Sequence, residues 1–327
     1  MRGKKEERAK MFESKADILR VEADRLASEP KRKEKASMLR AEAVEYASKA
    51  NSLRPTEAPD QDDSALLEIT NVTKVFAPGT VNEKVALENI NLTVNKGDVI
   101  CVIGSNGSGK STLFNMISGT FPVTSGSIVL DGKDITKLPE YKRAFDIGRV
   151  FQDPTKGTSA NMSIEDNMML ASKKGMRGVK FTLNAKTRAE YSKLLEPIHL
   201  DQRLKDNVGL LSGGQRQALT LLMTTMSKPH LLLLDEHTAA LDPGNAQIVM
   251  DLTKEYIEKD NLTAMMVTHN MQFAIDYGNR LIMMDRGHII LDINGEEKKN
   301  LSVSELVERF KAISNTDYTS DEGLLTK

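Results

Sequence analysis

Gly104-Ser105-Asn106-Gly107-Ser108-Gly109-Lys110-Ser111-Thr112 fits the pattern G-x-x-x-x-G-K-[ST] with nothing missing. Glycines let a backbone curl until successive N–H groups point inward, and such a ring of donors cradles a polyphosphate. The Lys110 ammonium would reach the β- and γ-phosphates, and the Ser111 hydroxyl would ligate Mg²⁺. Taken alone, the run is also compatible with an ordinary Gly/Ser turn, so its neighbours decide. Val99-Ile100-Cys101-Val102-Ile103, just before it, is a continuous apolar run of the kind found in buried parallel strands. Leu113-Phe114-Asn115-Met116-Ile117, just after it, begins a helical pattern. Strand, loop and helix in that order are the setting a phosphate loop requires, with the positive end of the helix dipole turned on the anion.

A second strand carries acids. Leu231-Leu232-Leu233-Leu234 runs into Asp235-Glu236. A buried strand tolerates carboxylates only at its exposed carboxyl end, which is where ligands bind in open α/β sheets. Asp235 can hold Mg²⁺ through water, and Glu236 can take a proton from an attacking water. Between the two strands lies Leu211-Ser212-Gly213-Gly214-Gln215, a short glycine-rich turn that ordinary folds have little reason to contain.

With these runs in this order, the chain resembles the nucleotide-binding subunits of ABC transporters from about Leu66 to Phe310. Gly104 to Thr112 match the family's Walker A loop and Leu231 to Glu236 its Walker B strand with the catalytic glutamate. Leu211 to Gln215 match the LSGGQ signature unchanged. Gln152, in Phe151-Gln152-Asp153, matches the Q-loop glutamine, which contacts Mg²⁺ and senses the membrane partner. Ala240-Leu241-Asp242 match the D-loop. His269, in Val267-Thr268-His269, matches the switch histidine that holds the γ-phosphate and the attacking water. The resemblance implies an α/β P-loop ATPase with a RecA-like core sheet, an antiparallel β portion and a helical subdomain at about 153–215. It also implies ATP and Mg²⁺ as ligands, and a head-to-tail homodimer in which the signature of one subunit completes the site of the other. A separate permease and a substrate-binding protein would be its partners at the cytoplasmic face of the membrane.

Two positions depart from the family pattern. A tyrosine usually stacks on adenine; the candidate here is Phe76, which keeps the π-face and loses the hydroxyl, a core or strand-edge role being the alternative. Most members carry Pro after Walker B, where this chain has His237-Thr238. His237 is either a group that titrates near neutral pH or a passive replacement in the turn. His199, His230 and His288 have no metal-ligand spacing.

Cys101 is the single cysteine, so no disulfide framework exists, and it reads as a small core residue close enough to the phosphate loop to make nucleotide binding sensitive to alkylation. No apolar run reaches the ~18 residues that span a bilayer, and no signal-peptide pattern opens the chain, so a cytoplasmic protein is expected. Few aromatics, no Trp and a net charge of −1 give no sign of nucleic-acid binding.

The first 54 residues fall outside the family pattern. They are rich in Ala, Glu, Lys and Arg, and Ala16–Ser28 is echoed by Ala36–Ser48. Both copies have helical periodicity, and Pro30 lies between them, which predicts a two-helix hairpin. Residues 55–64 read as a polar linker, 65–313 as the ATPase domain and 314–327 as a loose tail. Finer runs, Gly79–Lys84, Leu138–Ala144 and Asp235–Pro243, resemble a bacterial subgroup labelled as tryptophan/tyrosine or uncharacterised uptake systems. The competing classes are an exporter subunit and a soluble ABC ATPase acting on nucleic acid or ribosomes. The latter usually carries paired cassettes, long coiled-coil inserts or zinc-binding cysteines, which this sequence lacks.

Overall fold

The computed structural model describes residues 65–172 and 183–314, together with scattered helical positions from Lys10 to Val21 and from Lys35 to Glu42, on either side of Pro30. The hairpin expected of the first 54 residues, the linker at 55–64 and the tail beyond Ser314 lie outside the described residues. From Ala65 the elements run β1 (Ala65–Phe76), β2 (Lys84–Asn95), β3 (Val99–Gly104), α1 (Lys110–Ser118), β4 (Ser125–Leu130), β5 (Lys133–Asp134), α2 (Glu140–Arg143), β6 (Ile147–Val150), α3 (Ile164–Ala171), α4 (Ala185–Leu195), α5 (Gly213–Met226), β7 (Leu231–Asp235), α6 (Pro243–Asp260), β8 (Thr263–Val267), α7 (Met271–Asp276), β9 (Arg280–Asp285), β10 (His288–Asn294), α8 (Gly295–Lys299) and α9 (Val303–Ser314). The chain divides into two compact units. One comprises the residues up to Asn95, Ser105–Leu138 and Met284–Ile290; the other comprises Lys96–Gly104, Pro139–Met283 and everything from Leu291 on.

The first unit is built on an antiparallel sheet in the order β2-β1-β4-β5. β2 alternates from Ile90 to Val94 as a strand with one buried face should, whereas β1 buries Val72 to Val75 in succession, where its pairing with β2 shifts register; Leu67, Val72, Leu87, Ile90 and Ile128 are fully enclosed. Helix α1 buries Leu113, Phe114, Met116 and Ile117, the apolar pattern that follows the phosphate loop in the sequence.

The second unit holds a six-stranded sheet in the order β10-β9-β3-β8-β7-β6. Strands β3, β8, β7 and β6 are parallel. Every residue from Leu231 to Leu234 and from Thr263 to Val267 is buried, as expected of strands covered on both faces. Strand β6 ends at Val150, two residues before Gln152. Asp153 ends the extended run there by accepting the Thr155 N–H at 2.9 Å, which starts a tight turn at Pro154. Ser302 caps the last helix, its Oγ accepting Glu305 N–H at 3.2 Å.

Helices α3 and α4 are tied by a fork: Arg188 Nε and Nη2 donate to Glu165 Oε2 and Oε1 at 2.7 and 3.2 Å. Lys298 is the unit's most deeply enclosed ammonium. Its Nζ donates to the carbonyls of Ile275, Tyr277 and Gly278 at 2.7, 2.7 and 3.0 Å, closing the carboxyl end of α7. Burial lowers its pKa, yet the three carbonyls give the charge a full donor geometry. Lys298→Met should therefore remove the ammonium that these part-buried carbonyls share and lower stability by about 1–3 kcal/mol, read as a drop in the urea midpoint with the slope unchanged.

Candidate functional site

Gly104 ends β3, and Ser105 to Thr112, in the first unit, lead into α1. Gly107 and Gly109 take φ of +83° and +107°, the left-handed region that brings successive N–H groups to one side of the loop. At Gly109 a Cβ would lie 2.5 Å from Leu87 Cδ2 and 3.0 Å from the Ala86 carbonyl, so only glycine fits between the loop and β2. Gly287 N–H anchors the loop by donating to Ser108 O at 2.9 Å. The Lys110 ammonium folds back over the loop and donates to Ser105 O at 3.0 Å. Ser108 Oγ is buried with no hydrogen-bond partner. Phe76 sits at the end of β1, partly exposed. Phe121 meets it edge to face at a centroid distance of 5.3 Å, and Lys74 Nζ lies 4.9 Å from the ring centre.

In the second unit, three loops leave the carboxyl ends of adjacent parallel strands. Gln152 follows β6, Glu236 follows β7 and His269 follows β8. Register brings the strand ends level, with Val150 beside Leu234 and Asp235 beside Val267. The three side chains meet: Gln152 Nε2 donates to Glu236 Oε2 at 3.1 Å, and His269 Nε2 donates to Glu236 Oε1 at 2.6 Å. An ionised carboxylate accepts only, so His269 carries its proton on Nε2. Glu236 has φ +46°, a left-handed backbone unusual for a side-chain-bearing residue. Asp235 is bound by Arg149 Nη2 at 3.0 Å.

The glycine-rich turn is the amino end of α5. Ser212 and Gln215 form a reciprocal capping box, each side chain bonding the other's backbone N–H at 3.2 Å. Gly214 is pressed against Asn245, where a Cβ would lie 2.8 Å from two of its atoms. Asn245 Nδ2 in turn donates to Asp242 Oδ2, and Asp242 caps α6. Gly213 is exposed, and a Cβ there would meet nothing nearer than Leu241 Cδ2 at 3.6 Å.

Two residues that sequence reasoning passed over act at these loops. Gln217, fully buried on α5, donates from Nε2 to Phe151 O at 3.0 Å and so fixes the approach to Gln152. Arg149 was visible only as part of a strand. The sequence offers only the place of Gln217, two positions past the signature, and no signal at all for Arg149.

Residues 87–239 match the family model described as ABC transporter. A tyrosine transport ATP-binding protein of Clostridioides difficile is 45% identical over 249 residues, covering 75% of this chain and 99% of that protein. The chain belongs to the ABC transporter ATP-binding proteins. The methionine import ATP-binding protein MetN of Corynebacterium efficiens is 32% identical over 81% of this chain and 74% of its own length. Among solved structures, the ADP conformation of the ATP-binding cassette MJ1267 is 28% identical, with a TM-score of 0.61 over 75% of this chain and 98% of that one. A dimeric post-hydrolysis state of the cassette MJ0796 bound to ADP and Pi is 27% identical, with a TM-score of 0.61 over 70% and 98%. The chain is an ATP-binding, ATP-hydrolysing subunit of an ABC transporter. No helix among its described residues is long and apolar enough to cross a membrane.

This ABC ATPase corrects two readings of its sequence. Cys101 is fully buried in β3, and desolvation pushes its thiol up to about 12, so the alkylation sensitivity expected of it is suppressed in the folded protein. His237 does not titrate near neutral pH. It is buried, its Nε2 lies 3.1 Å from Thr253 Oγ1, and burial lowers its pKa to about 4. The unfolded chain, with a value near 6.5, takes up a proton that the folded chain refuses. The His237 contribution is therefore complete above about pH 6.5 and is lost as pH falls towards 4, by about 3 kcal/mol in all. Unfolding free energies of the wild type and His237→Gln, measured across that window, should diverge with the wild type steeper; parallel curves would contradict the assignment.

Proposed function

We propose that this ABC ATPase powers solute uptake from the cytoplasmic face of a membrane, as a homodimer bound to a separate permease and supplied by a substrate-binding protein. The observation that carries the chemistry is the Glu236 carboxylate held between Gln152 and His269. In this reading Glu236 orients and deprotonates the attacking water, and His269 holds the γ-phosphate. Gly104, Ser105, Asn106, Gly107, Ser108, Gly109, Lys110, Ser111 and Thr112 bind the phosphates, with Phe76 stacked on the adenine. The Ser111 hydroxyl, the Gln152 amide oxygen and, through water, Asp235 are hard oxygen donors, few in number and short of carboxylates, which suits Mg²⁺ shared with a nucleotide. The ion would neutralise charge on the β- and γ-oxygens. Catalysis by the chain itself is positioning and charge stabilisation.

The signature turn supports a site completed in trans. Ser212 and Gly213 are exposed at the amino end of a fourteen-residue helix. Among the described residues, nothing packed against Gly213 demands glycine, whereas close approach of a partner's γ-phosphate would. ATP would close the dimer, hydrolysis would open it, and Gln152 and the helices from α3 to α5 would pass that motion to the permease. Uptake rather than export is supported by the tyrosine transport and methionine import functions named for the relatives. The 45% identity to the former makes an aromatic amino acid the favoured solute.

Glu236→Gln should bind ATP, lower steady-state turnover about a hundredfold or more, and elute as an ATP-dependent dimer in gel filtration. Normal turnover in that variant would remove Glu236 from its assigned role.

A further inference from the structure

Glu236 holds a left-handed backbone, φ +46°, at the point where its carboxylate must stay aligned. Its N–H donates to Val267 O at 3.2 Å, and its carbonyl accepts Ala239 N–H at 3.0 Å. A side-chain-bearing residue keeps such a conformation only where its surroundings over-determine it. The next residue supplies the missing constraint. His237 is 2% exposed and points into the unit, where its Nε2 meets Thr253 Oγ1 at 3.1 Å. Thr253 is itself 1% exposed on α6. Its hydroxyl has one proton and gives it to Val249 O at 2.7 Å. It can therefore only accept from the imidazole, which fixes His237 as the Nε2–H tautomer. The contact spans the loop that leaves β7, passes Asp242 and returns as α6.

We infer that His237 and Thr253 form a latch that positions Glu236, His237 acting as a positioning residue for ATP hydrolysis through the peptide it shares with the glutamate. The latch fixes the peptide that follows Glu236. With Val267 O holding the N–H before it, both sides of the strained residue are pinned, and the carboxylate is directed between Gln152 and His269. Loss of the latch lets the backbone relax towards an ordinary φ and swings the carboxylate away from both partners. Nucleotide binding is untouched, because neither latch residue belongs to the phosphate loop. The inference rests on the role proposed for Glu236.

Valine keeps the branched shape of Thr253, which lines a cavity of about 320 Å³ beside Met250, Ile257 and Met266, so Thr253→Val removes the acceptor with little change of volume, and thermal melting reads the cost of the unmet Nε2–H. Steady-state ATP hydrolysis, ATP binding and thermal melting of the full chain are compared for Thr253→Val, Thr253→Ser, His237→Leu and His237→Gln, with Glu236→Gln in parallel. Thr253→Val and His237→Leu should lower kcat about tenfold with KM for ATP within twofold. Thr253→Ser, which keeps the acceptor, and His237→Gln, which can donate from a similar place, should stay within about threefold of wild type. In a Glu236→Gln background Thr253→Val should change residual turnover by less than twofold. Full turnover in Thr253→Val, an equal loss in Thr253→Ser, or a rise in KM in place of the fall in kcat would each overturn the latch. If His237→Leu fails to fold, the Thr253 pair decides. Normal turnover in Glu236→Gln would instead reject the role of the glutamate, which separates the two failures.

Discussion

The register of three parallel strands is the constraint on which the rest of the second unit depends. Because β6, β7 and β8 end level with one another, the residues just beyond them emerge side by side. Gln152, Glu236 and His269 are far apart in sequence, yet they need only one or two residues of loop to meet. A slip of one residue in β7 would turn the Leu231–Leu234 side chains to the opposite face and carry Glu236 away from both partners. Burial of that run on both faces makes such a slip prohibitive. The hydrophobic core thus sets the catalytic alignment, and the loops add only local adjustment.

That adjustment has a cost in backbone conformation, and the surrounding structure absorbs it. Glu236 is left-handed, Gly109 and Gly214 sit where a Cβ cannot, and Gln217 is buried to hold one carbonyl of the Q-loop. Each of these exceptions lies within or beside a loop that resembles a family motif. Away from them the chain obeys ordinary rules: capping serines and asparagines start the helices, and paired or carbonyl-bound charges account for Arg188, Arg280 and Lys298.

Much of this was legible before any coordinates. The phosphate loop is written in glycines whose spacing has a backbone meaning, and the apolar runs at Val99 and Leu231 announce buried strands. Side chains whose role depends on a distant partner were not legible. Nothing local to Thr253 marks it as the acceptor for His237, because the two come together only when α6 folds back on β7. His237 itself looked like a titrating or a passive turn residue, since sequence carries no measure of burial. Arg149 and Lys298 look like any other cation until their carboxylate or carbonyl partners are in view.

Gly214, Asn245 and Asp242 form a contact whose consequence is mechanical. The start of α5 and the start of α6 are separated by about thirty residues of chain, but they meet through the Asn245 side chain, which lies against Gly214 with no Cβ between them and bonds Asp242 on its other side. A side chain at 214 would have to push Asn245 aside, so the close fit of the two helix starts, and with it the cap that Asp242 places on α6, depends on the glycine.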